Sequence, residues 1–231
     1  MRIELGFGVG TQAIDVPEGR LLGVLTPNSI AHSLTGEAAV RHALQNPIGT
    51  PRLPQIIKPG ERIAIITSDI TRPMPTYAVM PALLEELYAA GVRKEDITLV
   101  FALGCHRRQT REEREKLAGK EVFAQIRCVD GDMDDCVHIG LTARGTPVDI
   151  VRTVAAADRR ICLGNIEYHY FAGYSGGAKA IMPGCSTREA IQHNHSHMTE
   201  DSACAGKIHD NPVPHLDAHD RGQGQQGDSS Q

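Results

Sequence analysis

Apolar and polar residues alternate with a period of two in Arg2-Ile3-Glu4-Leu5 and again in Gln12-Ala13-Ile14-Asp15-Val16, with Gly6, Gly8 and Gly10 between them. That rhythm predicts a small antiparallel β element within the first 30 residues. A short helix is expected over residues 37–44, capped by Thr35 and ended by Asn46-Pro47-Ile48-Gly49. From residue 61 the pattern changes. Arg62-Ile63-Ala64-Ile65-Ile66-Thr67 is a nearly unbroken, β-branched run, as expected of a strand buried on both faces. Pro73 and Pro75 lead into a helix over 77–90 closed by Gly91, and residues 96–103 read as the next strand. Thr110-Arg111-Glu112-Glu113 has a capping-box pattern and opens another helix. Further strands are expected at 136–140, 147–151 and 160–166, with a short helix around 155–158. A second capping box, Ser186-Thr187-Arg188-Glu189, is expected to start a helix toward His193. Strands alternating with helices predict an α/β fold, a mostly parallel, Rossmann-like sheet with flanking helices. Periodicity fades after residue 208, so a folded domain over 1–208 and a disordered polar tail over 209–231 are expected.

Composition narrows the function classes. The chain has 231 residues, 41% hydrophobic and 23% charged, enough for one large domain or one domain and a fragment. A net charge of −4 gives no basic footprint for nucleic acid, and without tryptophan there is little to stack bases on. No apolar run approaches membrane-spanning length, and Met1-Arg2-Ile3-Glu4-Leu5 lacks the pattern of a signal peptide, so a cytoplasmic protein is expected. Six cysteines without a C-x-x-C pair read as buried thiols, although Cys105 directly precedes His106.

Ligands of open α/β sheets bind at the carboxyl ends of the strands. Here the predicted strand ends deliver Asp69 with Arg72, then His106, then His169, followed by Gly173-Tyr174-Ser175-Gly176-Gly177-Ala178-Lys179. Each piece has a plain structural reading: a helix cap with a surface ion pair, a surface histidine, a chain turn. Their arrival at one rim is what suggests a site. Glycines let a backbone approach a ligand closely, and Lys179 could bind phosphate or form a covalent bond. A nucleotide-binding P-loop is excluded, because Ala180 supplies no hydroxyl for magnesium after Lys179. His193, His195 and His197 alternate: an extended chain would put all three on one face, a helix only His193 and His197.

Taken in order, Asn46-Pro47-Ile48-Gly49, Ser68-Asp69-Ile70-Thr71-Arg72-Pro73, Gly104-Cys105-His106-Arg107, residues 167–179, Pro183-Gly184 and Asn194-His195-Ser196 resemble the nickel-dependent lactate racemase family. The family's members racemise or epimerise 2-hydroxy acids. The resemblance implies a nickel-pincer nucleotide, a pyridinium-3,5-bisthiocarboxylic acid mononucleotide carrying Ni(II), attached covalently through Lys179. It implies His195 as the protein ligand to nickel, with Asp69, Thr71, Arg72, Gly176 and Gly177 as cofactor-binding positions. His106 and His169 would be the two acid/base groups. A hydride leaving C2 avoids a carbanion, one histidine takes the hydroxyl proton, and inversion calls for a second on the other side. Implied partners are the 2-hydroxy acid and the enzymes that make the cofactor.

Two departures stand out. The family's founding pattern has an arginine where Ala178 stands, so malate-like and sugar-acid substrates are open beside lactate. The family's C-terminal domain is expected to be missing, since the pattern stops near residue 213. The alternative expectation is therefore a truncated, non-catalytic remnant that binds cofactor and needs a separately encoded second domain.

Overall fold

The computed structural model describes residues 1–72 and 74–213. The chain divides into two compact units, Met1–Leu34 and the remainder from Thr35. In the first, β1 (Arg2–Phe7) and β2 (Gly10–Asp15) form the expected antiparallel hairpin, with Ile3 opposite Ile14 and Leu5 opposite Gln12. The Met1 ammonium closes its open end by donating to the Val16 carbonyl at 2.8 Å.

The second unit is built on four parallel strands: β3 (Ile63–Ser68), β4 (Ile97–Ala102), β5 (Arg127–Asp130) and, past a separate hairpin, β8 (Arg159–Cys162). Their order is β5-β4-β3-β8. The unbroken apolar run of β3 is explained by burial on both sides. Ile63 and Ile65, with Ile97, Leu99 and Phe101 of β4, face a core closed by α3 (Thr76–Ala89), α4 (Arg111–Ala118) and α5 (Lys120–Gln125). The short helices α1 (Gly36–Gln45) and α2 (Leu53–Ile56) pack against α3 from outside. Ala64, Ile66 and Val100 point the other way, toward Ile150, Val151, Val154 and Cys185. Each fully buried aliphatic side chain contributes roughly 1.5–3 kcal/mol, so the sheet is held from two sides.

The second face is covered differently from the sequence expectation. The strands predicted at 136–140 and 147–151 do form, as β6 (Cys136–Leu141) and β7 (Pro147–Val151). They pair antiparallel with each other and lie outside the parallel sheet, followed by α6 (Arg152–Ala155). The helix foreseen at 155–158 thus begins earlier, and the strand at 160–166 stops at Cys162. The box at Ser186 is also corrected. Ser186 Oγ donates to the Asp149 carbonyl at 2.6 Å, and Thr187 caps α7 (Arg188–Ser196) by accepting from Ala190 N–H. With Ala190 at the third helical position, no reciprocal arm forms. The box at Thr110 and Glu113 forms as expected.

Residues 211–213, assigned by sequence to the polar tail, are folded in. Asn211 Nδ2 donates to the Phe171 carbonyl at 2.9 Å, and Val213 is buried against Phe171 and Ala172. Residues 214–231 of the predicted tail lie outside the described residues.

Candidate active site

The chain runs outward from β3 to β4 to β5, then returns to pair β8 on the free side of β3. The crevice beyond the carboxyl ends of β3 and β8 is therefore the topological switch point, where open α/β sheets bind ligands. The tight 3₁₀ turn Gly177–Ala180 packs against β3 and β8 there, which puts Lys179 at the crevice.

The turn after β3 is tightly organised. Asp69 is only 2% exposed, so its carboxylate is turned into the protein and not out along the rim, where the sequence placed it. Its Oδ2 lies 2.7 Å from His106 Nδ1, and its Oδ1 accepts from Thr71 Oγ1 at 2.7 Å. Sequence gave no hint of Gln109, which supports this turn from below. It is buried, its Oε1 accepts from Ile70 N–H at 2.9 Å, and its Nε2 donates to Asp130 at the end of β5. His106 reaches across from the loop after β4, and its bond is to Asp69 instead of the neighbouring Cys105. The same loop is tied to the lysine loop by Gly104 N–H donating to the Gly184 carbonyl at 2.9 Å.

His169 sits on a two-strand miniature, β9 (Tyr168–His169) against β10 (Gly173–Tyr174). Its ring lies flat on Tyr170, with centroids 5.0 Å apart, and meets the edge of Phe171 at 4.5 Å. Ala172 N–H donates to its Nδ1 at 3.2 Å. Burial, reinforced by the charges of Lys179, His195 and Arg72, pushes the His169 pKa down to about 4. Lys179 is lowered to about 8, first by burial and then by Arg72, with Glu167 pulling the other way. Arg72, Lys179, His169 and His195 are thus electrostatic neighbours. Lys179 and His195 line one small cavity together with Phe171, Met182, Asn194 and Val213.

His195 projects from α7, and its Nδ1 lies 2.7 Å from the Ile191 carbonyl one turn back. A carbonyl only accepts, so Nδ1 carries the proton and Nε2 keeps its lone pair. His193 and His197 do share a face, with ring centroids 5.5 Å apart. They are engaged elsewhere, His193 with Thr146 at 3.0 Å and His197 with Glu200 at 2.9 Å. Gly176 has φ +86°, and a Cβ there would stand 3.1 Å from the Asn165 carbonyl oxygen, so close packing requires glycine. Gly177, at φ +55°, opens onto free space.

Residues 7–206 match the family described as the lactate racemase N-terminal domain. The chain belongs to that family. It is 32% identical over 218 residues to a lactate racemase of Thermoanaerobacterium thermosaccharolyticum, covering 91% of this chain and 51% of the relative. To a lactate racemase of Lactiplantibacillus plantarum it is 32% identical over 199 residues, covering 84% and 47%. The solved apoprotein structure of the Thermoanaerobacterium lactate racemase matches with a TM-score of 0.79 over 92% of this chain and 51% of that one. A protein from Thermotoga maritima, at 22% identity and a TM-score of 0.62, covered 77% and 45%, shares the fold alone. The chain spans about half the length of the curated relatives it matches. The family's domain therefore accounts for both compact units apart from their outermost residues. Among the described residues no helix is long and apolar enough to cross a membrane.

Proposed function

We propose that this chain is the cofactor-holding part of a racemase or epimerase acting on a 2-hydroxy acid. The observation that carries the reading is the pairing, in one cavity, of a lysine lowered to about 8 with a histidine whose Nε2 lone pair is free. A nickel-pincer nucleotide fits these groups. An amine with that pKa is unprotonated in roughly a tenth of molecules near pH 7, against well under a thousandth for an ordinary lysine, and suits covalent attachment. The His195 lone pair, its ring set by the Ile191 carbonyl, suits nickel. Among the described residues no cluster of three or more His, Cys, Asp or Glu could hold a metal, so the remaining ligands would belong to the nucleotide. When bound, that group would supply an acceptor for the hydride on C2 of the substrate.

The chain's own residues would do the rest. The Arg72 guanidinium can grip the substrate carboxylate with two parallel hydrogen bonds. His106 and His169 would handle the hydroxyl proton. Gly177 leaves the backbone bare beside the lysine, Gly176 lets that loop pack on Asn165, and Thr71 presents its hydroxyl next to His106.

Tyr168 and Tyr170 beside His169 are 74% and 78% exposed, which favours a second reading. In it, turnover needs a second domain that keeps water away from the reacting centre. The test is co-expression with the cofactor-making enzymes, followed by intact mass and nickel analysis. Racemisation is then assayed by chiral chromatography with and without the C-terminal half of a relative. An adduct of a few hundred daltons with about one nickel supports the cofactor-holding role. An unmodified mass without nickel sinks it. Turnover only with the added half decides for the second reading.

A further inference from the structure

The compact unit Met1–Leu34 has no interior of its own. None of its residues is buried, and only Ile3, Val16 and Leu21 are partly covered. Alternation along the hairpin sorts its side chains onto two faces. The register sets Ile3 opposite Ile14 and Leu5 opposite Gln12, so Ile3, Leu5, Phe7 and Ile14 share one face. Arg2, Glu4, Thr11 and Asp15 share the other. Antiparallel sheets with this pattern pack the apolar face and leave the polar face to water. Here the apolar face is open: Leu5 and Ile14 are exposed, and Phe7 is 68% exposed. Beyond the hairpin, Leu22, Leu25 and Ile30 stand out from a stretch without helix or strand. A two-stranded hairpin alone is marginal in water, and so much uncovered apolar surface marks a contact region.

We propose that residues 1–34 are a docking strap whose apolar face seats on the half of the lactate racemase length that this chain does not span. The family's domain begins at residue 7 and takes in most of the strap, while about half of each curated relative lies beyond the match. A segment shared with the relatives and left uncovered here finds its cover in the part of them that is not shared. Charge argues against a membrane in that place. The strap carries two arginines against three acidic residues, whereas a lipid surface selects basic side chains. The partner's seat is therefore apolar, and the polar face of the hairpin stays in water. This rests on the second reading above, that turnover needs a second domain, and names the surface that holds it.

The first test is the chain alone, by light scattering and by hydrogen exchange read on peptides from residues 1–34. Expected is a monomer whose strap amides exchange almost freely. Protection in a monomer would place the strap on the rest of the chain, and protection in a dimer would place it on a second copy; either overturns the proposal. The second test is co-expression with the C-terminal half of the Thermoanaerobacterium relative, then co-purification and the same exchange measurement. Expected are a one-to-one complex and strap amides that exchange at least about tenfold more slowly. Phe7→Asp and Leu25→Asp should each weaken binding about tenfold or more, because each puts a charge into an apolar seat. Thr11→Asp puts the same charge on the polar face and should bind within about twofold of the wild type. Equal losses on both faces, a complex with an unprotected strap, or no complex at all overturns the proposal. Flotation with vesicles of phosphatidylcholine and phosphatidylserine should leave the chain in solution, and binding there overturns it in favour of a membrane. Binding is read without turnover. A half that docks through the strap yet gives no racemisation counts against the second-domain reading and not against the strap.

Discussion

At the amino ends of the parallel strands, Arg62 meets Asp158 at 3.2 Å, Arg93 meets Asp96 at 2.8 Å and Arg159 meets Glu61 at 2.9 Å. At the carboxyl ends, burial and then the Arg72 charge raise the cost of charge on Lys179, and Glu167 offsets this only in part. One sheet thus treats charge in two ways. At the first end cations are neutralised by neighbours in water, where each pair contributes little. At the second, positive charge is left undercompensated in a partly buried crevice, so an anion is what the crevice lacks. Burial, with the Arg72 charge adding to it, destabilises Lys179 as an ammonium, which is what a nucleophilic amine needs.

The sharpest way to break this contrast is Lys179→Ala, which should abolish covalent cofactor retention in an intact mass spectrum. His106→Ala should leave the adduct in place, and an adduct in the lysine variant would remove Lys179 from its role. Next in size is Gly184→Ala. A Cβ there would overlap the Ala180 carbonyl and crowd Ala102, so a loss of about 3 kcal/mol is expected by denaturant titration. Arg72→Ala should act more gently. Removing a nearby positive charge favours the ammonium, so the pH midpoint of Lys179 acylation, mapped by peptide mass, should rise from about 8. The linked stability effect has a definite sign. The folded pKa lies below the ordinary 10.5, so between about 8 and 10.5 the unfolded chain binds more protons and stability rises with pH. Lys179→Ala should flatten that rise in melts taken across the window. Smallest is Arg62→Ala at the paired end, expected to melt with the wild type; a large drop would show that the outer pairs matter more than their exposure implies.

What the sequence made legible follows from how local each signal is. The run Ile63 to Ile66 announced a strand buried on two faces because both faces are written in consecutive residues. Thr110 and Glu113 announced a helix start because the cap is closed within one turn. β5 was missed: Arg127-Cys128-Val129-Asp130 is short, and its place is set by pairing with β4. The cap at Ser186 was misplaced by one residue because that hydroxyl is claimed by Asp149, distant in sequence. The same holds in the site. Asp69 and His106 could be read from the ends of β3 and β4, whereas His169 stands on β9, beyond the end of β8 at Cys162. That Asp69 would be buried under His106, that Gln109 would hold the turn and that Val213 would wall the lysine cavity depend on contacts between distant segments.

The hydrogen bond donated by Gly104 N–H to the Gly184 carbonyl has a consequence for how such a site can diversify. It joins main chain to main chain, so the loop that carries Lys179 and the loop that carries His106 are linked without drawing on either loop's side chains. Under the proposed function, exchanges at exposed positions such as Ala178 would then change which acid is accepted while leaving that main-chain frame in place.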